Sequence, residues 1–340
     1  MSAADLAAWS SAVPQPVVTA VGGSRTALVV SHENPDADTI GAALAVAALV
    51  EAHGGRATTV CSDPVPALYA FLPGVERFRT DPLPDAAYDQ LVIVDCGSLD
   101  RVGPVRGRHR RLFETLDRVV IDHHLSNAGD STTDWIDPAA AATCEMVALL
   151  ASRLGVPLAS GDGSLATALM AGIVMDTATF AHPNATPRTL AVSAALVEAG
   201  APLSDISRRL YRSKPDAQLR LFGRVLDRIE HVDDGRVLWS TLTDDDLATT
   251  GTGAEHSEGI IDLLAQAERA EVVILFKQQG SATRISVRTK PGGVDATELT
   301  GTFGGGGHAR AAGATVDRPL DAARELVLAE ARRLAARVER

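Results

Sequence analysis

The sequence predicts a two-domain α/β protein: a doubly wound parallel sheet in the N-terminal part, joined by a helical connector to a smaller α/β domain. Three observations predict it. Residues 27–31 (ALVVS), 91–95 (LVIVD) and 118–122 (RVVID) are short, continuous apolar runs rich in β-branched residues, as expected of strands buried on both faces. Apolar helical stretches alternate with them. The chain's 340 residues also exceed the roughly 100–200 usual for one domain.

Taken in order, residues 27–31 read as a strand and 39–52 (TIGAALAVAALVEA) as a helix closed by Gly54 and Gly55. Further strands are expected at 57–61, 91–95 and 118–122, and helices at 144–154 and 164–174. After Met175 the pattern turns helical, through 186–199, 203–212 and 216–229. Beyond His231 it changes again, with strands at 237–242, 272–277 and 284–288 and helices at 257–267 and 320–337. The expected division is a catalytic domain over 1–205, a connector over 206–230 (centred on 210–228) and a second domain over 231–340. In parallel sheets of this kind, ligands sit at the carboxyl ends of the strands.

Composition narrows the function. With 46% hydrophobic and 22% charged residues the chain is globular; at 4% aromatic, its core must rest on Ala, Val and Leu. The net charge of -11 weighs against gripping long duplex nucleic acid, whose affinity comes largely from phosphate neutralisation. It suits a small anionic substrate held by local cations. Cys61, Cys96 and Cys144 are odd in number and lack CxxC spacing, so neither a disulfide framework nor a cysteine zinc site is expected. Residues 1–16 lack a basic segment followed by a long apolar run, and no stretch reaches about 18 apolar residues without charge. A cytoplasmic protein with no membrane association is the expectation.

Four segments carry the chemistry: 31–38 (SHENPDAD), 94–97 (VDCG), 121–124 (IDHH) and 172–177 (GIVMDT). Singly, each has an ordinary explanation. Asp36 or Asp38 could cap the helix that follows, Asp95 and Asp122 could be turn residues, and a histidine pair is often structural. Together they converge, because strand ends of one parallel sheet share one rim. His32, Asp36, Asp38, Asp95, His123 and His124 can therefore meet, with Asp176 at the end of an apolar helix. Several carboxylates at close range repel one another unless a cation neutralises them. Carboxylate and imidazole donors without thiolate suit Mn²⁺ or Mg²⁺ better than structural zinc.

The HxxxDxD, the strand-ending Asp, the DHH and the later DT resemble the four motifs of DHH phosphoesterases, which include RecJ nucleases, family II inorganic pyrophosphatases and small oligoribonuclease/pAp phosphatases. Residues 304–313 (GGGGHARAAG) resemble the GGGHxxAAG signature of a DHHA1 domain. The resemblance implies one metal on His32, Asp36 and Asp95, and a second on Asp38, Asp95, His123 and Asp176, with Asp95 bridging. It implies two divalent cations per chain, Mn²⁺ foremost, with Mg²⁺ and Co²⁺ as alternatives. His124 would reach the substrate phosphate and Asp122 would orient the histidines.

In the second domain, glycines let successive N–H groups converge on an anion as a nest, and the resemblance implies that Gly305, Gly306, Gly307 and His308 bind the far end of the substrate. Arg288 and Lys290 end a predicted strand and could hold a terminal phosphate. Residues 257–262 (SEGIID) resemble a helix-opening segment of the small oligoribonucleases and receive no chemical role. One departure stands out: relatives often read DTG-x-F-R, whereas this chain reads Asp176-Thr177-Ala178-Thr179-Phe180-Ala181-His182. With Ala181 in place of arginine, His182 or another cation must substitute, or the substrate preference has shifted.

The resemblance thus implies two-metal hydrolysis of very short oligonucleotides (nanoRNA, pApA-like dinucleotides) and pAp, extending to cyclic di-AMP, by a homodimer. A family II pyrophosphatase would lack the glycine–histidine segment. A RecJ-like exonuclease would need further nucleic-acid-binding domains. A non-catalytic nucleotide sensor would have lost ligands, and here every ligand is present.

Overall fold

The structure, a computed structural model, describes residues 4–129, 131 and 133–338. It divides into two compact units, Met1–Ser213 and Lys214–Arg340.

In the first unit, α1 (Ala4–Ser10) and α2 (Gln15–Gly23) precede β1 (Thr26–Val30), α3 (Ala37–Ala52), β2 (Arg56–Val60) and β3 (Gln90–Val94). Then come α4 (Pro104–Arg108), α5 (Arg110–Thr115), β4 (Asp117–Asp122), β5 (Asp134–Ile136), α6 (Thr143–Arg153), α7 (Ser164–Thr177), α8 (Pro187–Glu198) and α9 (Leu203–Tyr211). The strands form a parallel sheet of order β2-β1-β3-β4-β5. The doubly wound form follows from the alternation of side chains along each strand. Ala27, Val29, Val92, Val94, Val119 and Ile121 face α3, α6 and α7 in one core. Leu28, Val30, Leu91, Ile93 and Val120 face Val105, Leu112 and Phe113 of α4 and α5 in another. After β1 the chain crosses to β2 on one side, and β3 returns to the other side of β1. The strand order therefore reverses between β1 and β3, the point where such sheets open a crevice at their carboxyl ends.

The expected helices at 39–52, 144–154 and 164–174 are α3, α6 and α7. α3 and α7 pack unusually closely. A Cβ on Gly172 would lie 2.4 Å from Asp38 Oδ1, and one on Gly41 would lie 2.3 Å from the Ala168 carbonyl oxygen. Glycine at both positions lets the C-terminal end of α7 approach the N-terminal end of α3. Among the described residues no single helix is long and apolar enough to cross a membrane. The apolar pair α8 and α9 is bent by 112° and contributes Val192, Leu196, Ile206 and Leu210 to the core.

The second unit comprises α10 (Asp216–Leu226), β6 (Glu230–Val232), β7 (Val237–Leu242), α11 (Asp244–Thr250), α12 (Ile260–Leu264), β8 (Val272–Gln279) and β9 (Ala282–Thr289). It closes with α13 (Ala296–Gly301), β10 (Gly306–His308), β11 (Ala311–Val316) and α14 (Leu320–Val338). The mixed sheet has order β10-β11-β9-β8-β7-β6, with β7 and β8 parallel and the other pairs antiparallel. α13 and α14 cover one face, through Leu299, Val327 and Leu334 against Ile274, Ile285 and Val287. α10 and α12 cover part of the other, through Leu221, Ile260 and Leu264 against Leu238, Val273 and Leu275. Asp246, fully buried, accepts from Thr243 at the start of α11 and from Arg224 and Arg228. Burial pushes its carboxyl up, but the two arginines and Thr243 outweigh this and hold it below the usual carboxylate range.

The short strands β5, β6, β10 and β11 lie outside the sequence expectation. So do α1, α2, α4, α5, α11 and α13.

Candidate metal centre

β1 ends at Val30, and the loop to α3 carries His32 and Asp36. Asp36 is indeed the N-cap of α3, its Oδ1 accepting from the backbone N–H of Asp38 (2.9 Å) and Thr39 (3.1 Å). Capping uses one oxygen only. Its Oδ2 faces His32 Nε2 at 3.8 Å, so cap and ligand are compatible roles for one residue. Asp38 lies in the first turn of the helix and is fully buried.

Asp95 follows β3 with φ of 55°, a left-handed conformation that Asp tolerates better than most residues. Its two oxygens point in different directions. Oδ2 lies 3.5 Å from His32 Nε2, and Oδ1 lies 3.5 Å from His123 Nε2. β4 ends at Asp122, which delivers His123 and His124. α7 delivers Asp176 from the other side, its Oδ2 3.1 Å from His123 Nε2. His32 and His123 present Nε2 to the site, each with Nδ1 occupied by a backbone carbonyl, whereas His124 turns Nδ1 toward Asp122 and lies with it 3.7 Å from Asp95 Oδ1. His32 Nδ1 donates to the Glu33 carbonyl (2.6 Å), His123 Nδ1 to the Ala140 carbonyl (3.3 Å) and His124 Nδ1 to Asp122 Oδ1 (2.7 Å). Asp122, fully buried, also accepts from Asn127 Nδ2 through Oδ2 (2.8 Å). It thus orients His124 alone of the pair; a backbone carbonyl orients His123.

Donor atoms within 4.8 Å of one another form three groups: His32–Asp36–Asp95, Asp38–His123–Asp176 and Asp95–His123–His124. The last competes with Asp122 for His124. The first two share Asp95 as a neighbour of both.

The electrostatics are those of carboxylates crowded without enough positive charge. Burial, then the charge of Asp95, raises Asp36 and Asp38, the latter strongly. Burial raises Asp176 to about 6 against the His123 hydrogen bond. Asp95 is the exception: burial acts to raise it, but the His32 hydrogen bond and the charges of His32, His123 and His124 bring it to about 2. For His123, burial opposes the charge but is outweighed by the Asp176 hydrogen bond and by Asp38, Asp176 and Asp95, raising it to about 10. A divalent cation is the counter-charge such a site fits: oxygen and imidazole donors in sets of three, partly or fully buried. Cys61, Cys96 and Cys144 are free and buried. Cys144 donates Sγ–H to the Asp38 backbone oxygen (3.4 Å), so no thiolate enters the donor set.

After Asp176 the chain turns through three successive left-handed residues, Ala178 (φ 47°), Thr179 (φ 58°) and Phe180 (φ 64°). A left-handed alanine costs about 1 kcal/mol more than glycine. Ala178→Gly is therefore expected to stabilise the protein by about 1 kcal/mol, raising the melting temperature by roughly 2–4 °C in a thermal scan. His182, exposed, donates Nδ1–H to the Asp176 carbonyl oxygen (3.1 Å), which holds its ring beside the centre.

In the second unit, Arg288 Nε donates to Asp262 Oδ1 (2.8 Å), and Lys277 Nζ donates to Ser257 Oγ (3.0 Å). The 257–262 segment, for which the sequence offers no role, thus anchors two cations. Lys277 and Arg284 are directly paired across β8 and β9, and Arg288 projects from the same face of β9. Lys277 escaped the sequence reading; its only signal there was a lysine closing an apolar strand. Lys290 does not fit the phosphate-binding expectation. Its Nζ donates to the carbonyl oxygens of Ala267 (2.8 Å) and Glu268, closing the turn after α12. The glycine run also differs from the expected nest. Gly306, Gly307 and His308 form β10, paired with Gly313, Ala312 and Ala311 of β11, so part of its N–H set serves a ladder. Gly305 is needed for close approach, since a Cβ there would lie 2.2 Å from the Gly313 carbonyl oxygen. His308 is exposed on this edge strand.

A family model described as DHH family, N-terminal domain, matches residues 26–173, and one described as DHHA1 domain matches residues 235–336. A Thermus thermophilus protein, the bifunctional oligoribonuclease and PAP phosphatase NrnA, is 34% identical over 307 residues, 88% of this chain and 87% of its own. Its Bacillus subtilis namesake is 24% identical over 86% of this chain and 89% of its own. The crystal structure of an exopolyphosphatase-related protein from Bacteroides fragilis has the same fold. It aligns at a TM-score of 0.86 and 19% identity, over 97% of this chain and 99% of that one.

Proposed function

We propose, for a chain that belongs to the DHH family and carries a DHHA1 domain, that it hydrolyses phosphoester bonds in very short oligonucleotides and pAp with two divalent cations, releasing nucleoside monophosphates. The observation that carries the proposal is Asp95, whose two oxygens face two separate ligand groups. The names of the relatives from T. thermophilus and B. subtilis supply the substrate class.

On this reading His32, Asp36 and Asp95 hold one cation, and Asp38, Asp95, His123 and Asp176 the other. Mn²⁺ is the ion proposed, on the strength of a donor set of carboxylates and imidazoles. When bound, such a pair polarises the phosphoryl group and makes water acidic enough to attack it near neutral pH. The chain's own residues do the remainder. Asp122 fixes the tautomer of His124, so that Nε2 is presented to a substrate phosphate oxygen. His182 is the candidate for the phosphate contact that Ala181 cannot make. In the second unit, Arg288, held by Asp262, and the 305–308 run with His308 bind the substrate. Short nucleotides as substrates, a homodimeric assembly and a cytoplasmic location belong to the same reading.

The test is AMP release from the linear dinucleotide 5′-pApA by the full chain with Mn²⁺, then with chelator. Release that chelation stops is expected; no release from protein with bound metal would move pyrophosphate and nucleotide sensing to the front. Removing a charge-assisted phosphate contact costs about 1.5–3 kcal/mol. Arg288→Ala is therefore expected to raise KM for 5′-pApA by roughly 10- to 100-fold. In steady-state assays kcat should change far less, as for a contact made equally in the ground state and the transition state.

A further inference from the structure

One neutral segment, residues 140–144, bonds directly to Asp38, His123 and Asp95 and is linked to the backbone of Asp176 through Asn184. The Ala140 carbonyl accepts from His123 Nδ1 (3.3 Å). The N–H groups of Thr143 and Cys144 donate to Asp38 Oδ2 (2.7 Å) and Oδ1 (2.9 Å). The Thr143 hydroxyl donates to Asp95 Oδ1 (3.0 Å), the oxygen on the His123 side. The Ala141 carbonyl accepts from Asn184 Nδ2 (3.1 Å), which also donates to the Asp176 carbonyl (3.2 Å). Among the described residues the segment makes no such hydrogen bond to His32 or Asp36.

What holds the segment is a buried ionic clamp. Glu145, with no exposed side-chain surface, accepts from the Ala141 N–H (3.3 Å), the Thr189 hydroxyl (2.7 Å) and Arg188 Nε. Arg188 also donates Nη1 to Asp137 Oδ2 (2.8 Å). The same guanidinium therefore grips the chain on both sides of the segment, at Asp137 before it and at Glu145 after it. Buried ion pairs are a poor source of stability, since desolvation cancels much of their attraction. A planar, forked cation spanning two carboxylates does fix geometry well.

We propose that Glu145 and Arg188 are positioning residues for one of the two metal positions only, that of Asp38, His123 and Asp176. This rests on the two-metal reading above. Neither side chain touches metal or substrate; both act through the 140–144 backbone. Outer-sphere partners of metal ligands are typically worth about 10- to 100-fold in affinity.

The test is Mn²⁺ titration of the chelator-stripped full chain, followed by calorimetry, beside the melting temperature of the metal-free protein. Glu145→Gln with Arg188→Met removes both charges of the buried pair and leaves only the partly exposed Asp137 without its cation. In this double variant one of two Mn²⁺ ions should weaken by roughly 10- to 100-fold and the other stay within about threefold. Arg188→Lys keeps the charge but loses the fork; it should weaken the same ion, and it carries the test if the double variant does not fold. Two ions bound as in wild type, or both weakened equally alongside a lower melting temperature, would overturn the assignment. A wild-type chain that binds fewer than two Mn²⁺ ions would instead overturn the two-metal reading and this inference with it.

Discussion

Asp95→Asn is expected to lower AMP release from 5′-pApA by about 10⁴-fold or more, equivalent to roughly 5 kcal/mol of transition-state stabilisation. Asparagine is the informative replacement because the residue sits at φ 55°, which asparagine tolerates and alanine resists. The change removes the one carboxylate that faces both ligand groups. It also deprives His32 of its main support, since the Asp95 hydrogen bond and charge, with smaller help from Asp36 and the Glu33 carbonyl, outweigh burial and raise its pKa. Mn²⁺ stoichiometry should fall below two, and both ions should be affected, unlike the one-sided loss expected from the Glu145–Arg188 clamp. Asp122→Asn should cost only about 10- to 100-fold, because it disturbs the orientation of His124 and leaves the ligand set intact. Activity within tenfold of wild type in Asp95→Asn would show that Asp95 does not bridge.

Metal loading is expected to change stability and proton content together. Two ions, each at about 100 times its Kd, add about 2.7 kcal/mol apiece. For a unit of this size that corresponds to a rise of roughly 10–20 °C in melting temperature over the chelated protein. Without metal, His123 stays protonated up to about pH 10, burial being outweighed by its Asp176 hydrogen bond and the surrounding carboxylates. A cation must displace that proton to reach Nε2. Apparent Mn²⁺ affinity should therefore rise about tenfold per pH unit from pH 6 to 8. Below about 6, where Asp176 is protonated too, the rise should be steeper. The metal-free fold has the opposite trend: the raised pKa of His123 adds stability that is complete below about 6.5 and is lost as pH climbs through about 10. Calorimetric titration in buffers of differing ionisation enthalpy reads the released proton. An affinity flat in pH would show that His123 is not a ligand.

These expectations rest on residues that differ in how visible they are in the chain. His32, Asp36, Asp38, Asp95, His123 and Asp176 could be named early because each stands at the end of an apolar run, where side-chain chemistry is conspicuous. Period and apolarity likewise suffice for β1, β3, β4, β7 and the long helices, since buried parallel strands need uninterrupted apolar runs. Lys290 and Lys277 show the limit. Both are lysines at strand ends, yet one closes a turn through Ala267 and the other stands beside Arg284. Nothing local separates them.

What the sequence by itself determined was the class of the sheet, the rim on which the candidate ligands meet, and the donor chemistry that fits divalent cations. These follow from patterns within a few residues of one another. Only the tertiary structure decided that Asp36 both caps and faces the site, that a backbone carbonyl orients His123, and that the glycine run joins a sheet. It also decided that Arg188 grips Glu145, 43 residues away, with the 140–144 segment between that clamp and the ligands. The reason is physical. A hydrogen bond to a backbone carbonyl, or an ion pair between distant helices, depends on where packing brings the groups. It leaves no periodicity, spacing or compositional trace in the chain.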